Sequence, residues 1–236
     1  EQFVMKLVPK TEEEGERSHL QFLESGLMGT PELATVEVRR AVERMVTVCE
    51  NMFEKLREVI ANPTKKLGNL VEEVKNGEQT TDEMEEEIID FCTRLARSGT
   101  SLTVGREVAL YLEMVNDVER IGDHCLNLTL LAERRWEKGY VFEESTQQQL
   151  LEMMTSVASS LTICKDRLAG TESVSQEQAR SLETSINELR NSCRKQHAKR
   201  MQEGEIEVRA GLLFLDMMTN MEKIGDYCWN VTGSFP

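Results

Sequence analysis

Nothing in this chain is built to cross a membrane as a helix. No segment approaches the 18 or so consecutive apolar residues that a span needs, and no signal peptide is visible. Proline is scarce, at 4 residues, aromatics make up 5%, and runs of Val, Ile, Thr and Tyr are short. Little of the sequence can therefore be strand, and the abundance of Glu, Leu, Met and Arg favours an all-α protein. A basic stripe is lacking. The formal net charge is −14, which argues against nucleic acid as a partner and against binding to anionic lipid. The six cysteines (Cys49, Cys92, Cys125, Cys164, Cys193 and Cys228) form no Cys-x-x-Cys pair. Each sits in an apolar helical pattern, so they read as buried thiols of a reducing compartment, not as a disulfide framework or a zinc site. No Ser/His/Asp or Cys/His arrangement and no Gly-rich phosphate loop is apparent, so the chain is not expected to be an enzyme. It opens on Glu1 without a methionine, which suggests a piece cut from something longer.

What is present is helix, and a repeat. Residues 1–29 read as a polar linker closing on the short apolar stretch "LQFLESGLM". Thr30 suits an N-cap and Pro31 a first helical position. Three helices are expected in residues 30–139: Pro31 to Ala61, Leu67 to Arg97 with Gly77 as a kink, and Val104 to Lys138 ending at Gly139. The order repeats in residues 140–236. Ser145 with Gln148, and Ser175 with Gln178, have the spacing of capping boxes, and stops fall near Gly170, Gly204 and Thr232. Short loops between long helices give antiparallel neighbours. The expected architecture is thus two tandem three-helix bundles related by a pseudo-two-fold.

The repeat is explicit in two segments, "NDVERIGDHCLN" from Asn116 and "TNMEKIGDYCWN" from Thr219. Glu119 and Glu222, Asp123 and Asp226, and Asn127 and Asn230 are each 103 residues apart. Glu119 and Asp123 lie four apart, on one helix face, where like charges repel by a few tenths of a kcal/mol. Gly122 costs up to about 1 kcal/mol against Ala. Both penalties recur at Glu222, Gly225 and Asp226. Departures from local rules concentrate at functional positions, and a cation between the carboxylates would turn the repulsion into binding. The second helix of each half offers matching groups, Glu78 and Asp82 in the first, Glu183 and Asn187 in the second, at an offset of 105. Glu113 and its counterpart Asp216 add two more carboxylates. His124 adjoins Asp123, but its counterpart is Tyr227. Oxygen-rich sites suit Mg²⁺, Ca²⁺, Mn²⁺ and iron, and a histidine moves the preference toward iron or zinc. The plainer account is a solvated acidic face, with Arg120 or Lys223 reaching across to the Asp three residues on. The cations of "RNSCRKQHAKR" either complement a helix dipole or form a docking patch for an acidic partner or anionic headgroup.

These two motifs resemble the signature of the PhoU family. More narrowly, "LMGTPELATVEVRRAVERM" and "RKQHAKRMQEGEIEVRAGLLFLDMMTNMEKIGD" resemble the cytoplasmic PhoU-like domain at the C-terminal end of bacterial Na⁺/phosphate cotransporters. The resemblance runs from about residue 25 to the end. It implies two three-helix bundles, regulation of phosphate uptake, and iron or zinc clusters held by Glu/Asp-x-x-x-Asp pairs, here Glu78 with Asp82, Glu119 with Asp123, and Glu222 with Asp226. Asn187 departs from that pattern and weakens the second half. The implied partner is the membrane part of a phosphate transporter, placing the chain on the cytoplasmic side of the bacterial inner membrane; a homodimer is left open. Two other functions compete with a regulatory metal-binding domain. One is a metal-free helical adaptor. The other is a di-iron carboxylate oxidase, but those bundles use Glu-x-x-His pairs, and none falls within the expected helices.

Overall fold

A computed structural model describes residues 27, 29–61, 67–171 and 175–234. Among these lie six helices and no strand: α1 Pro31–Ala61, α2 Leu70–Arg97, α3 Leu102–Lys138, α4 Glu144–Ala169, α5 Gln176–Gln202 and α6 Val208–Gly233. The sequence dictates most of the stops. Gly139 and Gly170 take left-handed backbone angles, φ 64° and 79°, and their N–H groups close the ends of α3 and α4. Ser101 caps α3 through its side chain, and Ser175 with Gln178 forms the expected capping box on α5. The linker expected over residues 1–29 falls almost wholly outside the described residues.

Two local expectations are corrected. The second helix begins at Leu70, three residues late, after Gly68 and Asn69 turn the chain. Gly77 lies inside α2 and is a point of close approach, because a Cβ there would lie 2.7 Å from Met52 Cγ and Sδ. Ser145 is not a cap. α4 starts at Glu144, with Glu143 at the cap position, two residues before Ser145. A tertiary contact decides this: Arg200 at the end of α5 pairs with Glu143. Gln147 donates to the Ile60 carbonyl of α1 at 2.8 Å.

Each repeat packs its three helices on one another, and the bundles join through α1 with α4 and α3 with α6. α2, α3, α6 and α5 thus form a row, backed by α1 and α4. The buried positions of α1 (Val38, Val42, Met45, Cys49, Met52, Phe53, Leu56) recur every three or four residues, so one stripe faces the core. One continuous apolar cluster runs through both repeats. Full burial of each large aliphatic or aromatic side chain in it contributes about 1.5–3 kcal/mol.

The joint between repeats is reciprocal. Gln147 of α4 satisfies the C-terminal end of α1, and Arg39 of α1 donates to the Leu168 and Arg167 carbonyls at the C-terminal end of α4, at 2.5 and 3.1 Å. Near the middle, Cys49, Cys125, Cys164 and Cys228 come from the four joining helices. All six cysteines are buried and unbridged. His124 stacks on Tyr227, its own counterpart, with ring centroids 5.8 Å apart. Equivalent residues meeting face to face mark the pseudo-two-fold.

Candidate functional site

The glycines of the repeated motif bring neighbouring helices together. A Cβ on Gly122 would lie 2.7 Å from Thr81 Oγ1 of α2, and one on Gly225 would lie 3.0 Å from Ile186 Cδ1 of α5. Thr81 and Ile186 are 105 apart, so the packing keeps the offset that relates Glu78 to Glu183 and Asp82 to Asn187. Close approach of α2 and α3 sets their carboxylates along one shared edge. Thr81 donates its hydroxyl to the Glu78 carbonyl at 2.7 Å, which fixes the contact with Gly122 in place.

Glu78, Asp82, Glu119 and Asp123 meet along this edge, as the spacing predicted, and Glu85 joins them. The Glu119 carboxyl is pushed from its ordinary 4.5 to about 7, first by burial and then by Asp123, Glu85 and Asp82. Burial also raises Glu78, Asp82 and Glu85, with Asp123 adding to each and Asp82 adding to Glu78 and Glu85. Such mutual elevation is the signature of crowded like charges, opposed by a cation only at Glu85, where Arg120 lowers the carboxyl. Glu85 was missed in the sequence, although it continues the series 78, 82, 85 on one helical face.

Arg120 answers this charge only through a lowering effect on Glu85 and forms no salt bridge to Asp123, contrary to the plainer expectation. Its guanidinium lies 3.8 Å from Asp117 and over the Tyr227 ring, 5.6 Å from the centroid. The second repeat behaves differently. Lys223 sits 2.8 Å from Asp226 and 3.5 Å from Glu222, and the Asp226 hydrogen bond raises its ammonium pKa. Glu183 accepts from Asn187 at 2.5 Å. Glu222 is 8% exposed, and the long ion pair with Lys223 is the one polar contact of its Oε2 among the described residues. Matched positions explain the difference. Arg120 is drawn off by Asp117 and Tyr227; the counterparts around Lys223 are Asn220 and His124, neither an anion nor a strong cation-binding face, so Lys223 stays on its own Asp.

Three expected residues lie elsewhere. His124 turns toward α6, its Nδ1 2.8 Å from Asn220 Oδ1, and so leaves the carboxylate edge. Glu113 lines a polar groove of about 760 Å³ with Asp117, Arg120, Trp229 and Asn230. Asp216 lines its counterpart of about 480 Å³ with Asn127, Arg134 and Asn220. Asn230 faces Asp117 across the groove and lowers its carboxyl, against the larger effect of burial.

An oxygen-only donor set of five carboxylates is the chemistry of a hard or borderline cation. Among the described residues no three His, Cys, Asp or Glu side chains already stand in metal-holding geometry, so binding would require carboxylates on the edge to turn inward. The first repeat fits a cation by donor type and by crowded charge that Arg120 offsets only at Glu85. The second already carries one in Lys223, and Arg190 stands where the first repeat has Glu85.

Comparison with known proteins agrees with the repeat. The PhoU domain profile matches residues 42–131 and 150–233, one stretch in each half. The phosphate transport system regulatory protein PhoU from Streptococcus pneumoniae has a similar fold, with TM-score 0.71 and 18% identity over 87% of this chain and 94% of that one. PhoU from Pseudomonas aeruginosa gives 0.66 and 18%, over 84% and 93%. No curated protein sequence matches the chain significantly.

Proposed function

The chain belongs to the PhoU family, and from that premise we propose that it is a regulatory, non-catalytic domain that controls phosphate uptake by contact with a transporter. The observation that carries this reading is the family match across both repeats. The regulatory role named for the Streptococcus pneumoniae protein is extended here to this chain. The partner in this reading is the membrane part of a Na⁺/phosphate cotransporter, joined through residues 1–29 at the cytoplasmic face. No helix among the described residues is long and apolar enough to cross a membrane itself, so the membrane part would lie in other sequence. The direct test is deletion of this domain from the full gene product, with phosphate uptake measured at low and high phosphate. Uptake unchanged in both conditions would refute the proposal.

The carboxylate edge between α2 and α3 supports metal as the regulatory ligand. Glu78, Asp82, Glu85, Glu119 and Asp123 would hold it, and the cation would neutralise their mutual repulsion. Iron or zinc is the first choice by resemblance, with Mn²⁺, Mg²⁺ and Ca²⁺ also compatible with oxygen donors. The second repeat would bind more weakly, through Glu183, Glu222 and Asp226, because Lys223 competes. A metal-free adaptor is the alternative, and it would show no thermal shift with any of these ions.

A further inference from the structure

At one end of the molecule the last turns of α1 and α3 and the link 139–141 line a cavity of about 220 Å³. Val59, Ile60, Leu67, Ala132 and Trp136 make its walls largely apolar. A dry apolar cavity of about 150 Å³ holds a benzene ring, so this one has room for a ring and a short substituent. Arg135 is the one charged side chain in the lining among the described residues. Gly139 turns the chain back at the end of α3, and the Tyr140 N–H donates to the Arg135 carbonyl at 3.0 Å. The guanidinium is then held by three contacts. Its Nε donates to the Tyr140 carbonyl at 3.4 Å, its Nη2 donates to Gln147 Oε1 at 3.0 Å, and it lies over the Phe142 ring, 3.9 Å from the centroid. No carboxylate pairs with it among the described residues. A half-buried cation left without an anion is costly.

We propose that this cavity binds a small organic acid with an apolar body, an aryl or branched-chain carboxylate, with the body among the apolar walls and the carboxylate on Arg135. A guanidinium has five N–H donors, and the contacts to Tyr140 and Gln147 use two of them. The remaining three include a pair on the two terminal nitrogens, which matches the two oxygens of a carboxylate. Inorganic phosphate suits the site poorly, because apolar walls do not replace its hydration. A neutral hydrocarbon leaves the cation unanswered. Apolar walls with a few placed polar groups are the usual make-up of a small-molecule site. Occupancy also bears on the joint between repeats. Gln147, which Arg135 holds, donates to the Ile60 carbonyl of α1 at 2.8 Å, so a carboxylate that draws on Arg135 acts on a contact joining α1 to α4. This inference stands apart from the metal reading, whose residues lie on the α2–α3 edge.

The test is calorimetric titration of the whole chain with phenylacetate, and with phenylacetamide as its uncharged counterpart. The acid should bind about tenfold tighter than the amide, or better, since hydrogen bonds to charged groups are the stronger ones. Arg135→Gln should remove that preference, and Arg135→Lys should keep part of it, because Lys supplies the charge without the fork. Ala132→Leu fills the cavity and leaves Arg135 in place, and it should weaken phenylacetate about tenfold or more. Trp136 gives an independent reading. It and Trp229 are the chain's two tryptophans, so in a Trp229→Phe chain the emission should shift as phenylacetate binds. Circular dichroism and melting temperature confirm that each variant folds. No binding of phenylacetate up to about 10 mM, equal affinity for acid and amide, or undiminished binding in Ala132→Leu would overturn the proposal. So would phosphatidylglycerol vesicles that shift the Trp136 emission while phenylacetate leaves it unmoved, which would assign the exposed Trp136 and Val141 to a membrane surface.

Discussion

Glu119→Gln should stabilise the protein near pH 8 and do almost nothing near pH 5. The carboxyl is raised from 4.5 to about 7 by burial and by Asp123. A carboxyl raised on folding favours the folded state in its protonated form. That advantage is complete below the unfolded value, fades as pH climbs from about 4.5, and is gone above about 7. A shift of this size corresponds to about 3 kcal/mol if fully expressed, but Glu119 is only half-buried, and solvent screening reduces it to about 1–2 kcal/mol. For a chain of this length each kcal/mol moves Tm by about 2–4 °C, so the neutral isostere should melt roughly 3–6 °C higher than wild type near pH 8 in chelator. The assay is a calorimetric or fluorescence melt of both proteins across pH 5 to 8. Wild type should lose Tm over that range, and Glu119→Gln should lose less. An equal gain at both pH values would mean that Gln improves packing and that no carboxylate repulsion was relieved. No gain at pH 8 would mean that Glu119 is not crowded by charge, and the electrostatic account of the α2–α3 edge would fail.

Metal should reverse the same repulsion. A ligand at about 100 times its dissociation constant adds about 2.7 kcal/mol, so Fe²⁺, Zn²⁺ or Mn²⁺ should raise Tm, with Asp123→Asn removing most of the shift and Asp226→Asn less; equal shifts in wild type and Asp123→Asn would exclude this edge as the site. Asp117→Asn should release Arg120 toward Asp123 and weaken metal binding in the first repeat without touching a ligand, as read by calorimetric titration. Gly122→Ala should cost about 1–3 kcal/mol by overpacking against Thr81, and most of that cost should vanish in a Thr81→Ala background, which the melting temperatures of the four-member cycle will show. The native thiols should resist a thiol reagent near pH 8, since burial pushes Cys92 and Cys125 up to about 12 and Cys193 to about 11; all six should titrate only on unfolding.

Local chemistry made the helix ends readable wherever it acts alone. Thr30-Pro31 opens α1 and Gly139 closes α3 because their backbone preferences have no rival. α4 was misread because a contact from another helix sets its start: Arg200 of α5 pairs with Glu143 at the cap, two residues before Ser145. The site divides in the same way. Pairs four apart on one helix were legible, so Glu119 with Asp123 and Glu78 with Asp82 stood out. The choice of face was not. His124 follows Asp123 by one residue, and the 100° that separates neighbours on a helix carries it round to Asn220 and Tyr227.

The asymmetry of the two halves was nevertheless written in the sequence, in positions the motif itself does not include. Both motifs place a cation just after the Glu, Arg120 or Lys223, and taken alone they predict the same salt bridge twice. What separates them is the residue three before that cation and the ring across the seam. Asp117 and Tyr227 draw Arg120 away from Asp123. Asn220 and His124, their counterparts, cannot hold Lys223, which stays on Asp226 at 2.8 Å. Asn187 for Asp82 and Arg190 for Glu85 change the second half in the same direction. Four substitutions at matched positions thus remove negative charge from one repeat and deny the other its internal cation. The two repeats share the motif, and these neighbours leave the first with more crowded negative charge than the second.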